Sequence, residues 1–278
     1  MEMYTLSQWV MFFYIYCFVG WVWESVYVSV CTRKLVNRGF LKGPFLPIYG
    51  SGAICILIVT IPFRDSLPLM CLIGMVSATV LEYVTGAVME RLFRVRYWDY
   101  TGKLLNVNGY ICLASVLCWG VMTGLLVEVV HPYVARAVLF VEDKYITGIV
   151  LLITPCISAD FATSFHAAIR LRDILVQSEK IKEELGRLTA KKDELEQALL
   201  KAGGKAREQV AAELRELLVR TGEQKERLRI AYARSIKGLI ERNPHAVSRN
   251  YREAFAELKL TVLEKKQDVM DRIDEIRR

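Results

Sequence analysis

Five stretches of the chain are almost wholly apolar and approach the length a helix needs to cross a hydrocarbon core, about 20 residues. They run over residues 9–30, 45–63, 67–89, 110–130 and 145–165. The second is short, so it tilts, starts re-entrant or thins the bilayer locally. Only Arg64, Asp65 and Ser66 separate it from the third, which predicts a helical hairpin with a tight turn. From Arg170 onward the pattern changes. Apolar residues thin to a stripe at Leu171, Ile174, Ile181, Leu185, Leu188, Leu195 and Leu199, with Ser178 and Lys192 as polar exceptions. Taking Leu171 and Ile174 as the first pair gives the spacing of a coiled helix. Gly203–Gly204 interrupts it. A second run carries Val210, Leu214, Leu217 and Leu228, and Asn243–Pro244 ends it. A third stripe follows at Tyr251, Phe255, Leu258, Val262, Val269, Ile273 and Ile276. Each stripe is narrow, so the hairpin closes on itself or recruits a second copy.

Charge divides the chain the same way. Residues 1–169 hold 11 Lys+Arg and 10 Asp+Glu, while the remaining 26 and 20 fall in residues 170–278. Two segments suited to two solvents are expected, residues 1–168 as a polytopic membrane domain and 169–278 as a charged helical domain. The net charge of +7 is spread over the whole chain without a compact basic block. That distribution fits an anionic lipid surface and speaks against nucleic acid. Arg33, Lys34, Arg38 and Lys42 follow the first run, and Arg91, Arg94, Arg96 and Lys103 follow the third. The opposite loops carry Arg64, Arg136 and Lys144. The positive-inside rule then places the N-terminus outside and the tail in the cytoplasm. The first run lacks a basic leader and a small-residue cleavage site, so it is read as a retained span. The expected fold is all-α: a five-helix transmembrane bundle, then a cytoplasmic coiled-coil-like helical hairpin and a further helix.

No soluble catalytic signature appears. Gly203-Gly204-Lys205 is followed by Ala206 and lacks the rest of a phosphate loop, and GxSxG, HExxH and GxGxxG are missing. The seven cysteines form no CxxC pair and the three histidines are scattered. These residues predict packing rather than a metal, and no other cofactor or enzyme activity is implied.

Chemistry is left to ionisable residues within the apolar runs. Glu24, Glu82 and Asp160 lie well inside them, where a charge is costly and must find protein, water or a partner. Gly74, Ala78, Glu82, Gly86 and Glu90 recur at four-residue steps, Gly120 and Gly124 make a similar stripe, and Gly20 precedes Glu24 by one turn. Such stripes let helices approach closely and turn Glu24 and Glu82 inward. Two readings compete. The carboxylates lock the helices by pairing with loop arginines, or they bind a cation, a proton or a basic group. The stretch NRGFLKGPFLPIYGSG, residues 37–52, poses the same choice. It is a hinge, or else its backbone N–H groups converge with Arg38 and Lys42 on a phosphate or carboxylate, such as a lipid headgroup. The cluster YWDY, Tyr97 to Tyr100, reads as an interfacial anchor, and Asp99 is placed to clamp Arg38 across the two loops.

GWVWES (Gly20 to Ser25), VNRGFLKGPFLPIYGSG (Val36 to Gly52), LEYVTG (Leu81 to Gly86) and RYWDYTGKLLNVNGYICL (Arg96 to Leu113) occur in this order. The arrangement resembles the bacterial family of type IV ABC-transporter membrane proteins over most of residues 9–130. The resemblance implies a permease component of the bacterial inner membrane that works with a separate ATPase subunit. The matching motif positions are Glu24, Asn37, Arg38, Gly39, Gly43, Pro44, Pro47, Gly50, Glu82, Trp98, Asp99 and Asn106. Combined with the readings above, the candidate residues for substrate, ion or lipid are Glu24, Asn37, Arg38, Gly39, Lys42, Gly43, Glu82, Arg96, Asp99 and Asp160. A second function class stays open: a non-transporting membrane scaffold or sensor acting through its tail.

Overall fold

A computed structural model describes residues 4–201, 204, 208–213, 215–217, 219, 220, 222, 223, 237–256 and 258–260. The regular elements among these residues are helices, with two isolated bridges and no strand. Helix α1, Leu6–Thr32, opens on a capping box in which the Thr5 hydroxyl accepts from the Gln8 amide and the Gln8 side chain accepts from the Thr5 amide. It ends at Arg33, which takes the left-handed conformation at φ 53°. Helix α2, Pro47–Thr60, starts on a proline, whose missing N–H would be unpaired in a first turn in any case. A 3-10 turn, Ile61–Phe63, follows. Helix α3 is Leu67–Phe93 and α4 is Leu113–Gly124. A π-helical stretch, Leu125–Val130, joins α4 to α5, His131–Phe140. Pro132 cannot donate to the carbonyl four residues back, and the wider register shifts the bonding just before it. Helix α6 runs from Asp143 to Lys201 with Pro155 inside it.

Among the described residues, four segments are long and apolar enough to cross a membrane: Leu6–Thr32, Leu67–Phe93, Leu113–Phe140 and Asp143–Lys180. The second expected run, residues 45–63, forms the shorter apolar helix Pro47–Phe63, which falls short of that length. The fourth apolar run does not stop at Val130. It continues through α5, because Ala135 and Val138 carry the buried face onward into the core. Large apolar side chains such as Trp23, Val26, Val76, Val80, Val84, Leu151 and Leu152 face outward. Water would disfavour such a surface, whereas lipid is its natural solvent.

The chain divides into two compact units. The first holds Met1–His166 together with Glu241–Val247. At the end where α1 begins, Phe12, Tyr16, Ile56, Leu57, Met70, Val127 and Ile146 form its apolar core. His131 is buried there, with Tyr16 Oη 2.8 Å from its Nδ1 and Tyr4 Oη 3.3 Å from its Nε2. Helices α1 and α6 run in the same direction, tied at Ser7–Thr147 (2.8 Å) and Tyr14–Thr154 (2.7 Å). The small-residue stripes are helix contacts: Gly74 lies on Thr123, Gly120 on Met75 and Gly50 on Cys17.

The second unit holds Ala167–Ile240 and Ser248–Arg278. Ala168, Leu171 and Leu175 are buried, so Leu175 and not Ile174 continues the stripe from Leu171. Gly204 is left-handed at φ 57°, and Lys191 Nζ reaches Glu213 Oε1 at 2.8 Å from the other side of it. Phe255 and Leu258 are buried. The expected positions Gly203, Leu214, Leu228, Val262, Val269, Ile273 and Ile276, and the side chains of Ile181, Leu185, Leu188 and Leu199, lie outside the described residues.

Candidate functional site

Beyond Thr32 the chain turns back along α1, and its hydrogen bonds record the path. The Val36 amide donates to Ser29 Oγ (3.0 Å), the Arg38 amide to Ser25 Oγ (3.1 Å) and the Leu46 amide to the Cys17 carbonyl (3.0 Å). Cys17 is about 22 Å from Thr32 along the helix, at 1.5 Å per residue. Helix α2 therefore starts partway along α1, which is why it is short. Of the alternatives for the second run, the folded-back start is the one adopted. Irregular backbone at such a level is tolerated where protein covers it. Gly20 and Gly50 permit it, since a Cβ on Gly20 would fall 2.4 Å from Tyr49 Cβ.

Within this loop the candidate residues divide by role. Asn37 is a clip: its Oδ1 accepts from Trp21 Nε1 at 2.7 Å and its Nδ2 donates to the Lys42 carbonyl at 2.8 Å. Gly39 sits at φ 148°, a conformation that favours glycine. The backbone N–H groups of Lys42 and Gly43 do converge on an anion, and it is the chain's own. Asp160 Oδ1 accepts from the Lys42 amide at 3.1 Å and Oδ2 from the Gly43 amide at 2.7 Å. The Ser164 hydroxyl, one turn on, donates to Oδ1 at 3.3 Å. Asp160 thus fastens the loop to α6, while the Lys42 side chain is exposed. Asp160→Ala leaves two amides without this acceptor, one of them part-buried and one exposed, a loss of about 1 kcal/mol, the net worth of a typical hydrogen bond. The expected result is a lower unfolding temperature and faster amide exchange at residues 42 and 43, with Asp160→Asn retaining part of the protection.

Arg38 is buried, at 8% exposure, and is surrounded by neutral acceptors. Its guanidinium donates to Asn243 Oδ1 (2.8 Å), the Tyr97 carbonyl (3.0 Å) and the Arg242 carbonyl (3.5 Å). Asn243 Nδ2 donates in turn to the Gly39 carbonyl at 3.1 Å. Phe40 packs among Phe93, Tyr97 and Phe161. Tyr97 is part of this buried cluster rather than an exposed anchor, and burial raises its phenol pKa although Arg242 and Arg38 oppose the rise.

Asp99 does not clamp Arg38. Its carboxylate lies 3.2 Å from Arg96 Nη1, and Arg96 Nε lies 2.7 Å from Glu90 Oε2. The Arg96 guanidinium also covers the Tyr110 ring at 4.6 Å, and the Tyr110 hydroxyl donates to Glu90. Asp99 stays with Arg96 of its own loop, while Arg38 takes Asn243 and the Tyr97 carbonyl. Burial pushes the Asp99 carboxyl up, but the Thr101 hydroxyl and amide, with Arg96, hold it below the ordinary carboxylate range. Arg96 is therefore a fastening of the loop between α3 and α4.

Glu82 is buried at 7% exposure. It accepts from Trp119 Nε1 at 2.9 Å and from the Tyr100 hydroxyl at 3.3 Å. Tyr100 reaches it because the second loop, like the first, folds back into the bundle. Glu24 is half-buried and makes no hydrogen bond or ion pair among the described residues. Ser25, the next residue, accepts from the Arg38 amide, so the first loop passes beside Glu24. Neither carboxylate is within ion-pair distance of a loop arginine among the described residues, so helix locking by such pairs is not what the bundle uses. Tyr100, Trp119 and Asn243 were not singled out from the sequence as partners. Their roles depend on two loops folding back, which no local pattern encodes.

Glu24 lies on α1 beside Ser25, where the first loop is bonded, and Glu82 lies on α3 against Tyr100 of the second loop and Trp119 of α4. No curated protein and no solved structure matches the chain. A family model does, over residues 11–165, which include both loops and every candidate residue. The chain belongs to the family described as "Putative ABC-transporter type IV".

Proposed function

We propose that this protein is a permease-type membrane component that binds or moves a cation, a proton or a solute with a basic group at Glu24 and Glu82. One observation carries the reading: two acidic side chains, half-buried Glu24 on α1 and buried Glu82 on α3, lie inside an apolar bundle, and among the described residues neither is neutralised by an ion pair. A carboxylate in that position is retained at a cost and marks a functional path by default. Glu82 is held by two donors, Trp119 and Tyr100, while Glu24 is the freer group and the first to meet a solute. Arg38 is engaged by neutral acceptors, and the anion position of the glycine loop is filled by Asp160. The substrate class is therefore cationic or proton-linked rather than a free anion. The charge pattern supports an N-terminus outside and a tail in the cytoplasm. A separate ATPase subunit is the partner that the family description suggests, and a homo-oligomer through the tail is compatible with the narrow apolar stripes.

The test is flux into proteoliposomes across a panel of protons, monovalent cations and amines. Glu82→Gln and Glu24→Gln should each reduce flux at least tenfold, about 1.4 kcal/mol or more, without lowering the unfolding temperature by more than a few degrees. Undiminished flux in both variants rejects the assignment. A second reading, a scaffold or sensor working through the tail, is favoured by residues 241–247 returning to the first unit. It predicts no flux in the unaltered protein and partner capture that survives both substitutions.

A further inference from the structure

Residues 241–247 are the one described part of the chain beyond position 166 that belongs to the first unit, and both flanks of the segment belong to the second. The segment touches both folded-back loops. On the first, Asn243 uses its whole amide, accepting from Arg38 at 2.8 Å and donating to the Gly39 carbonyl at 3.1 Å. On the second, Val247 and Arg96 exchange two backbone hydrogen bonds, at 2.7 and 2.9 Å. Asn243 is 2% exposed, and the other buried side chain of the segment is the small Ala246.

We propose that residues 241–247 are a releasable latch through which the tail controls access to Arg38 and the two loops. Seated, the segment holds residues 37–43 and 94–98 together; withdrawn, it opens the way to Glu24 and Glu82. This bears on the site proposed above, but its test reads the latch itself. The seam has the character of a reversible contact. It is made largely of hydrogen bonds, for which water can substitute on release. It is also incompletely satisfied. Tyr97 Oη and Arg242 Nε are buried beside it without a hydrogen-bond partner among the described residues, although such groups are nearly always paired. Opening the seam to water relieves both. Arg38 gives the device its consequence. Losing Asn243 leaves its guanidinium with the Tyr97 carbonyl and the charge of Glu24 nearby, so a released Arg38 draws in water or a ligand oxygen. Because each flank continues into the tail unit, displacement of the tail is carried to the segment by the chain itself.

Amide hydrogen exchange of the full chain in lipid nanodiscs tests the proposal. In the unaltered protein the Arg96 and Val247 amides, 151 positions apart, should show protection factors equal within about twofold, since each bond closes only when the latch does. Both should be at least tenfold less protected than amides in the middle of α3. Asn243→Ala should lower protection at Arg38, Arg96 and Val247 at least tenfold and leave the middle of α3 unchanged. Val247→Pro, which removes the donor to the Arg96 carbonyl, should reproduce that pattern at Arg38. Unequal protection in the unaltered chain, no change in Asn243→Ala, or a loss that spreads evenly into α3 would each overturn the latch. Loss of flux in the Glu24 and Glu82 variants, or its persistence, does not alter these readings.

Discussion

Gly50→Ala is expected to lower stability by about 2–3 kcal/mol, the upper part of the usual range for overpacking a filled interior. A Cβ built at Gly50 lies 2.4 Å from Cys17 Sγ, 2.7 Å from the Phe13 carbonyl oxygen and 2.8 Å from Phe13 Cδ2. The first obstacle is a side chain and the second is backbone. Cys17→Ala in the same chain should therefore recover only part of the loss, because the Phe13 carbonyl is fixed by α1. Gly52 supplies the control two residues on. Its nearest neighbour would be Leu81 Cδ2 at 3.8 Å, an ordinary contact. Gly52→Ala should be neutral or stabilising by about 0.5–1 kcal/mol, the helical advantage of alanine. Thermal unfolding in detergent separates the two substitutions, and equal melting temperatures would show that α1 and α2 do not meet at Gly50. The contact matters beyond stability. Spreading α1 from α2 moves Tyr49 off Gly20, which lies one turn before Glu24 on α1.

Arg96→Ala is expected to cost about 3 kcal/mol, the lower end for removing one partner of a buried ion pair. Its side chain is 2% exposed, whereas Glu90 and Asp99 keep 18% and 25% of their surface and so are partly solvated once abandoned. Three contacts vanish together: the pairs to Glu90 and Asp99 and the cover over the Tyr110 ring. Lysine should rescue little, because one ammonium cannot bridge two carboxylates and stack on a ring as the planar fork does. Gly109 indicates how tightly this loop is drawn. It sits at φ 75°, and a Cβ there would fall 2.5 Å from Arg96 Nη1. Chemical or thermal unfolding, followed by the fluorescence of Trp98, whose indole N–H donates to the Tyr110 carbonyl, reports the loop directly. A loss under 1 kcal/mol would mean that the loop is held from elsewhere.

The two substitutions mark what fastens the site and what remains available in it. Asp160, Asn37, Arg96 and Asp99 are engaged in building the loops. Glu24 and Glu82 are placed in the bundle by α1 and α3, and the loops approach them through Tyr100. A segment of the tail bonds both loops. Residues needed to shape the region can thus be separated from residues left over for a solute, and the proposed cation or proton site rests on the latter.

The apolar runs, the stripes of small residues and the acids stranded among them were legible in the chain alone. Their signals are local: length and hydropathy determine which segments suit lipid, and four-residue spacing determines which side chains share a helix face. That Glu82 turns inward follows from Gly74, Ala78 and Gly86 on its own face, and all four are buried. Tertiary structure decided the partners. Asp160 and Asp99 are both carboxylates beside basic loops, yet one caps the amides of Lys42 and Gly43 and the other pairs with Arg96. Nothing periodic encodes that difference, because it depends on where an irregular chain passes to within a few ångström of a helix. The same holds for the folding back of residues 33–46 along α1, which shortened a span expected from hydropathy, and for Asn243 meeting Arg38 across 205 positions of chain. Hydrogen bonds and ion pairs act over about 3 Å, so they are settled only after packing has brought distant residues together.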